Sequence, residues 1–242
     1  MFEREDRRDP EVIDRDGYGL GWLAAPEEGA RRASHAVYGE DGVYLFDPLD
    51  SDGVDEIIGS MEDEVEGVAV LSTYHTRDAD VFADRYDVPV YLPEDFDRVE
   101  ERLESEVREV GDGEELGNSG FEVWSFDPVE SFQDVLPVSR WRESIAYRES
   151  DGTLYTPDLM SEMASAGEEE LGVYLMCRVF PPDHHFEELE PERILSGHGE
   201  GVFEDADQEL EESLEKARAR LPKALIENGY ERAKTFWGAV RE

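Results

Sequence analysis

Apolar residues in the first third of the chain recur in short runs, split by Gly, Pro and acidic turns. The runs Tyr18 to Ala25, Ser34 to Tyr38 and Gly42 to Phe46 predict strands. Glu40-Asp41-Gly42 predicts a hairpin turn between the second and third. Val54 to Met61 predicts a helix, because its apolar side chains fall at 54, 57, 58 and 61, one face of a 3.6-residue period. Val68 to Ser72 is continuously apolar rather than alternating, which predicts a strand buried on both faces. A short helix over Asp80 to Tyr86 and a strand over Pro89 to Leu92 follow. Strand–helix–strand alternation of this kind is the pattern of an α/β fold.

The middle of the chain predicts a charged helix, Asp97 to Val107. Strands follow at Val107 to Val110, Phe121 to Phe126, Ser144 to Arg148 and Thr153 to Thr156. Asp151-Gly152 marks a hairpin between the last two. Ser161 to Val179 predicts a helix with Leu171, Tyr174, Leu175 and Val179 on one face, stopped by Pro181-Pro182. A short strand, Arg193 to Ser196, runs into Gly197-His-Gly199. From Asp205 to Arg241 the pattern is helical, with interruptions expected near Pro222 and at Asn228-Gly229. No repeat of solenoid length occurs. The expected organisation is one domain over residues 1–204 with a helical extension over 205–242 packed on it.

Charge changes the picture. The 242 residues carry 23 basic and 63 acidic side chains, a formal net charge of −40. Without a basic patch, nucleic acid and anionic membrane surfaces are excluded as partners, since both need clustered Lys and Arg. Aromatics at 10% and the recurring apolar runs argue for a folded chain rather than a disordered one. Lysine occurs only at Lys216, Lys223 and Lys234. Such a lysine-poor, carboxylate-loaded surface resembles the cytosolic proteins of salt-in halophiles, in which molar salt screens self-repulsion. An acidic interaction protein from a low-salt cell is the alternative, and the salt response of the thermal midpoint separates the two.

Cys177 is the only cysteine, so an intrachain disulfide and a thiolate zinc cluster are excluded. Its apolar neighbours, Leu175 to Phe180, point to a buried structural thiol. No apolar run reaches the roughly 18 residues of a membrane span. The start, Met-Phe-Glu-Arg-Glu-Asp-Arg-Arg, lacks the apolar centre of a signal peptide, so a cytoplasmic protein is expected.

Three clusters carry candidate chemistry. They are Leu71-Ser-Thr-Tyr-His-Thr-Arg-Asp-Ala79, Gly152-Thr-Leu-Tyr-Thr-Pro-Asp158 and Ile194-Leu-Ser-Gly-His-Gly199. Each follows a predicted strand, where α/β folds place their chemistry, and Asp and His are metal ligands. In order and spacing these resemble the metallo-β-lactamase fold hydrolases, in which one strand runs into T-H-x-H-x-D-H, a later one ends in G-D and a last one in G-H-G. Gly42-Val-Tyr-Leu-Phe-Asp-Pro48 resembles the family's early hairpin ending in Asp. The resemblance spans Tyr18 to Phe203. It implies a four-layer αββα sandwich with two metals between the sheets.

The departures from the family pattern shape the functional expectation. With Thr73 set on the motif's Thr, Tyr74 and Thr76 fall where the first two histidines stand, and Ala79 replaces the last. Ser139, in Leu136-Pro-Val-Ser-Arg140, falls near a further lost histidine. The resemblance thus leaves Asp78, Asp158 and His198 as ligands of one metal and removes the three-histidine site. His75 would ligate only if the motif slips by one residue, which sets Arg77 on the motif's Asp. An Arg77–Asp78 salt bridge in place of a metal is equally open, as is Asp158 as a helix cap. His198 between two glycines is read as a remnant of the family site.

Other signals add little. His184-His185 follows two prolines and reads as a loop. Gly17-Tyr-Gly-Leu-Gly21 lacks the Lys-Ser/Thr of a phosphate loop and reads as a glycine-bent strand. Asp47 to Glu56 fails the calcium-loop spacing, and no nucleophile elbow occurs. The expectation is a protein with a dismantled dinuclear centre, acting in binding or structure and holding no metal or one weakly bound manganese, iron or zinc. A small-molecule ligand and a homo-oligomer are compatible with it. The alternative is a mononuclear hydrolase of an ester, thioester or phosphoester.

Overall fold

Tyr44 and Phe46 point to one side of their strand and Val43 and Leu45 to the other, yet all four are buried. That is how a sheet behaves when both faces are covered. The computed structural model describes residues 9–126, 141–164, 171–179, 186 and 189–239.

The first sheet collects β1 (Glu11–Asp16), β2 (Gly19–Leu23), β3 (Ala33–Tyr38), β4 (Val43–Phe46), β5 (Val65–Ala69), β6 (Val90–Pro93) and β7 (Val107–Val110), in chain order. β1 to β4 pair antiparallel, whereas β4 to β7 pair parallel through crossovers. Those crossovers carry the short helices α1 (Val54–Gly59), α2 (Ala79–Tyr86) and α3 (Asp97–Glu100). The second sheet starts with β8 (Glu114–Glu115), β9 (Glu122–Phe126), β10 (Glu143–Arg148) and β11 (Thr153–Thr156), all antiparallel. A small ribbon of β12 (Met160–Ser161) and β13 (Gly172–Val173) precedes α4 (Leu175–Val179). Then β14 (Arg193–Ser196) pairs parallel with β11, and α5 (Ala206–Ala239) follows.

Three cores separate four layers. Trp22, Leu45, Val68 and Phe82 pack the first sheet against α1 to α3. Phe46, Phe121, Tyr155 and Leu195 fill the space between the sheets, with Phe46 edge-on to Phe121 at 5.1 Å and to Tyr155 at 5.3 Å. Leu154, Ile194, Leu210 and Ala217 lie between the second sheet and the C-terminal helices. Each fully buried aromatic of this kind contributes about 1.5–3 kcal/mol by leaving water. The expected αββα sandwich is the fold observed. No described helix is long and apolar enough to cross a membrane.

Several elements differ from the sequence expectation. Ser161 to Val179 is not one helix: its described parts are the end of β12, a 3₁₀ turn at Glu162–Ala164, β13 and α4. The apolar spacing there serves strand and helix contacts to one core, because Leu171, Val173 and Cys177 are all buried in it. The helix expected over Asp97 to Val107 shrinks to α3. α5 runs straight through Pro222. β1 is not predicted because four of its six residues are exposed and Ile13 is its one fully buried apolar side chain, too few to set a period.

Asp14 in β1 has a left-handed backbone (φ 54°), and its Oδ2 accepts the Gly201 N–H at 2.9 Å. Burial pushes its carboxyl up to about 7, with Glu200 and Glu162 adding to the rise while the Gly201 bond and Arg31 oppose it. A carboxyl raised on folding stabilises below its unfolded value, near 3.9, and loses that contribution as pH climbs to about 7. Asp14→Asn keeps an acceptor and removes the titration. Its thermal midpoint relative to wild type is expected to climb between pH 4 and 7 and level off above. A difference that stays constant with pH would contradict the assignment.

Candidate metal centre

The parallel pairs β4–β5 and β11–β14 end at the same edge of the sandwich, and the loops leaving them carry every residue of the site. Asp47 follows β4, His75 and Arg77 lie between β5 and α2, Asp158 follows β11 and His198 follows β14. Gly197 lets the last two loops meet: a Cβ there would lie 2.3 Å from the Pro157 carbonyl oxygen and 3.1 Å from the His75 ring.

His75, Asp158 and His198 converge. The His198 Nε2 lies 3.0 Å from Asp158 Oδ1 and 3.3 Å from His75 Nε2, which is itself 3.4 Å from the same oxygen. The far nitrogen of each ring is tied down. His75 Nδ1 faces Asp47 Oδ2 at 3.0 Å, and His198 Nδ1 faces the Ala30 carbonyl oxygen at 2.8 Å. In the neutral rings that a metal ion would need, both acceptors hold the proton on Nδ1 and leave Nε2 facing Asp158, the usual arrangement behind metal-binding histidines. Separations of 3.0–3.4 Å among these three atoms are those of donors that could share one ion, given the roughly 2.0–2.2 Å typical of zinc with N and O donors. The residues fit a metal.

Supporting groups hold Asp158. Its Oδ2 accepts the Ser72 hydroxyl at 2.9 Å. Glu143, fully buried at the start of β10, accepts the N–H groups of Asp158 and Leu159 on one oxygen, both at 2.8 Å, while its Oε2 has no partner among the described residues. Burial, reinforced by the Asp158 charge, pushes the Glu143 carboxyl well up. For Asp158, burial is outweighed by His75 and His198, which hold its carboxyl well below the usual range. For His75, burial and Arg77 act downward, but Asp158 and Asp47 prevail and raise it. His35 straps the sheets together behind the site, its Nε2–H donating to the Ser196 carbonyl at 2.9 Å; burial drops it to about 4, so it stays neutral.

Arg77 enters the centre with a left-handed backbone (φ 43°). Its guanidinium donates to the Ala33 and Asp47 carbonyl oxygens at 2.5 and 2.7 Å, to Gly197 O at 3.2 Å and to His75 Nε2 at 3.1 Å. Arg77 thus binds carbonyls and His75, and the Arg77–Asp78 salt bridge that the sequence left open beside a metal is not what holds it.

Of the three ligands expected from the sequence, Asp158 and His198 come together and Asp78 does not join them. Asp78 stands at the N-terminus of α2, where its Oδ2 accepts the Asp50 N–H at 2.9 Å. His75 takes the third place. Among the replaced ligand positions, Tyr74 is 47% exposed, Ala79 is buried in the first turn of α2, and the Thr76 hydroxyl is buried without a partner among the described residues. Ser139 and His184-His185 lie outside the described residues. Asp158 caps no helix, because a strand follows it. Cys177 is a buried thiol, pushed up by burial.

This sandwich, with its chemistry on one edge between two sheets, has the metallo-β-lactamase fold. No family model matches the chain, and no curated protein does. Solved structures do match. A metallo-β-lactamase from Pontibacter korlensis superposes with a TM-score of 0.58 at 11% identity, over 87% of this chain and 99% of that one. The DIM-1 metallo-β-lactamase exposed to ceftazidime gives 0.56 at 12% identity, over 87% and 99%. A variant flavo di-iron protein from Thermotoga maritima gives 0.57 at 14% identity, where this chain covers 62% of the other's length. Identities this low establish the fold alone.

Proposed function

We propose that this metallo-β-lactamase-fold protein keeps a reduced centre: one weakly held divalent ion on His75, Asp158 and His198, serving binding or structure, with no two-metal hydrolysis. The observation that carries this reading is the pair of imidazoles whose Nδ1–H groups are tied to Asp47 and Ala30, so that both Nε2 atoms face one carboxylate oxygen. Two imidazoles and a carboxylate suit zinc, iron or manganese. Such an ion supplies Lewis acidity when bound. The chain's own residues orient the rings through Asp47 and Ala30 and fix Asp158 through Ser72 and Glu143. Nothing among the described residues supplies a second set of ligands beside the first.

A second reading is one-metal hydrolysis of an ester, thioester or phosphoester. It is favoured by the partial exposure of Asp158 and His198, each with 18% of its side chain open to solvent, which leaves a small substrate a way in.

The test is metal content by mass spectrometry on protein purified in molar KCl without chelator. About one equivalent of manganese, iron or zinc is expected, and Asp158→Ala, with an unchanged circular dichroism spectrum, should lose it. Protein that stays metal-free after reconstitution would overturn the proposal. Hydrolysis of an ester panel by the wild type but not by His198→Ala would select the second reading.

A further inference from the structure

We infer that Arg77 and the metal ion are alternative occupants of one position, so that an ion enters this centre only by taking the His75 lone pair away from the guanidinium. The inference rests on the one-ion reading above and concerns what sets that site's affinity.

A neutral imidazole has a single in-plane lone pair. With its Nδ1–H given to Asp47, His75 offers only Nε2 as an acceptor, and Arg77 already donates to it at 3.1 Å. The same nitrogen is one of the three ligand atoms. Both bonds cannot be made at once. Charge works in the same direction, since a dication on Nε2 would lie against a buried guanidinium, where little water screens the repulsion.

The guanidinium does not move freely. It bridges the first residue of β3, the end of β4 and the loop after β14 through the carbonyls of Ala33, Asp47 and Gly197. Two of those segments carry Asp47 and the His198 loop, so Arg77 fastens the same loops that present the ligands. Metal-free protein is thus held together by Arg77, and the metal-loaded form must give up at least its bond to His75. Strained backbone at both Arg77 (φ 43°) and Asp47 (φ 46°) fits a centre under competing demands.

The test compares wild type with Arg77→Met, which keeps the length of the side chain and removes charge and donors, and with Arg77→Gln, which removes charge but keeps an amide for the carbonyls. Zinc affinity is read by competition against a chromogenic chelator, and thermal midpoints are taken in chelator and in zinc. Both variants are expected to bind zinc at least tenfold more tightly than wild type while melting lower in chelator, so that the zinc-induced rise in midpoint is larger than in wild type. Arg77→Gln, the milder change, carries the test if Arg77→Met does not fold. Zinc bound by folded variants as in wild type, or more weakly, would overturn the inference and leave the one-ion reading standing. Folded wild type and variants that all refuse zinc would overturn both.

Discussion

Asp47→Ala is expected to lower unfolding free energy by about 3–5 kcal/mol, the range for removing one partner of a buried charged network. The carboxylate is fully buried and serves three donors: the Leu71 N–H at 2.9 Å, the Tyr155 hydroxyl at 2.6 Å and His75 Nδ1 at 3.0 Å. Deleting it strands all three where water does not reach, and each stranded group costs about 1–3 kcal/mol. For a chain of this size the thermal midpoint should fall by about 10 °C or more. Asp47→Asn separates stability from site chemistry. Its amide oxygen can still serve Leu71, and the Tyr155 hydroxyl can turn to accept, so the loss in midpoint should be smaller. The amide N–H₂, however, is no acceptor for His75 Nδ1–H, and it favours the tautomer with its proton on Nε2. That proton blocks the ligand lone pair, so metal affinity should drop by about 10–100-fold, the usual effect of losing a partner behind a metal-binding histidine. Equal metal affinity in Asp47→Asn and wild type would show that Asp47 does not set the tautomer.

The fold was legible because its signals are local. Val43 to Phe46 and Thr153 to Thr156 alternate between two cores, and Val54, Ile57, Ile58 and Met61 repeat at helical spacing; short windows suffice for both. Residues 161–179 misled because helical spacing also arises when a ribbon and a short helix share one core. The site was partly legible. Asp158 and His198 follow strands, and the one local rival, Asp158 as a helix cap, falls away because a strand follows it. Asp78 could not be separated from His75 in the same way, because the motif's Asp anchors the register and makes a one-residue slip look costly. What decides between them is tertiary. Asp47 comes from a different loop and captures His75 Nδ1, while the Asp50 N–H, from that same loop, captures Asp78 Oδ2. A buried strand ending in Asp, with a single histidine in the loop 28 residues on, was the one signal that pointed to this pair. Arg77 was legible as a cation standing in the place of a metal, but its partner was not: the adjacent Asp78 is the local candidate, whereas the carbonyls of Ala33, Asp47 and Gly197 come from distant segments.

Screening should act on the whole molecule where these substitutions act on one point. Between about 0.1 M and 2 M KCl the thermal midpoint is expected to rise by about 10 °C or more, because even one-to-one pairing of all 23 cations leaves 40 of the 63 carboxylates without a partner charge. The chain exposes 12415 Å² and among its described residues buries few carboxylates, Asp47 and Glu143 included, so the roughly 60 spread over that surface sit roughly 14 Å apart, close to the Debye length of about 10 Å at 0.1 M and far beyond the roughly 3 Å at 1 M. Their mutual repulsion is therefore felt in dilute buffer and extinguished in molar salt. NaCl at equal ionic strength should act like KCl if screening is the cause, whereas sucrose at equal osmolality should do much less. The buried network should respond differently: the gap between Asp47→Ala and wild type is expected to persist at every salt concentration, because no counter-ion reaches Asp47. A flat midpoint in wild type would refute the screening argument, and a gap that closes in molar KCl would mean that the Asp47 contacts are open to solvent.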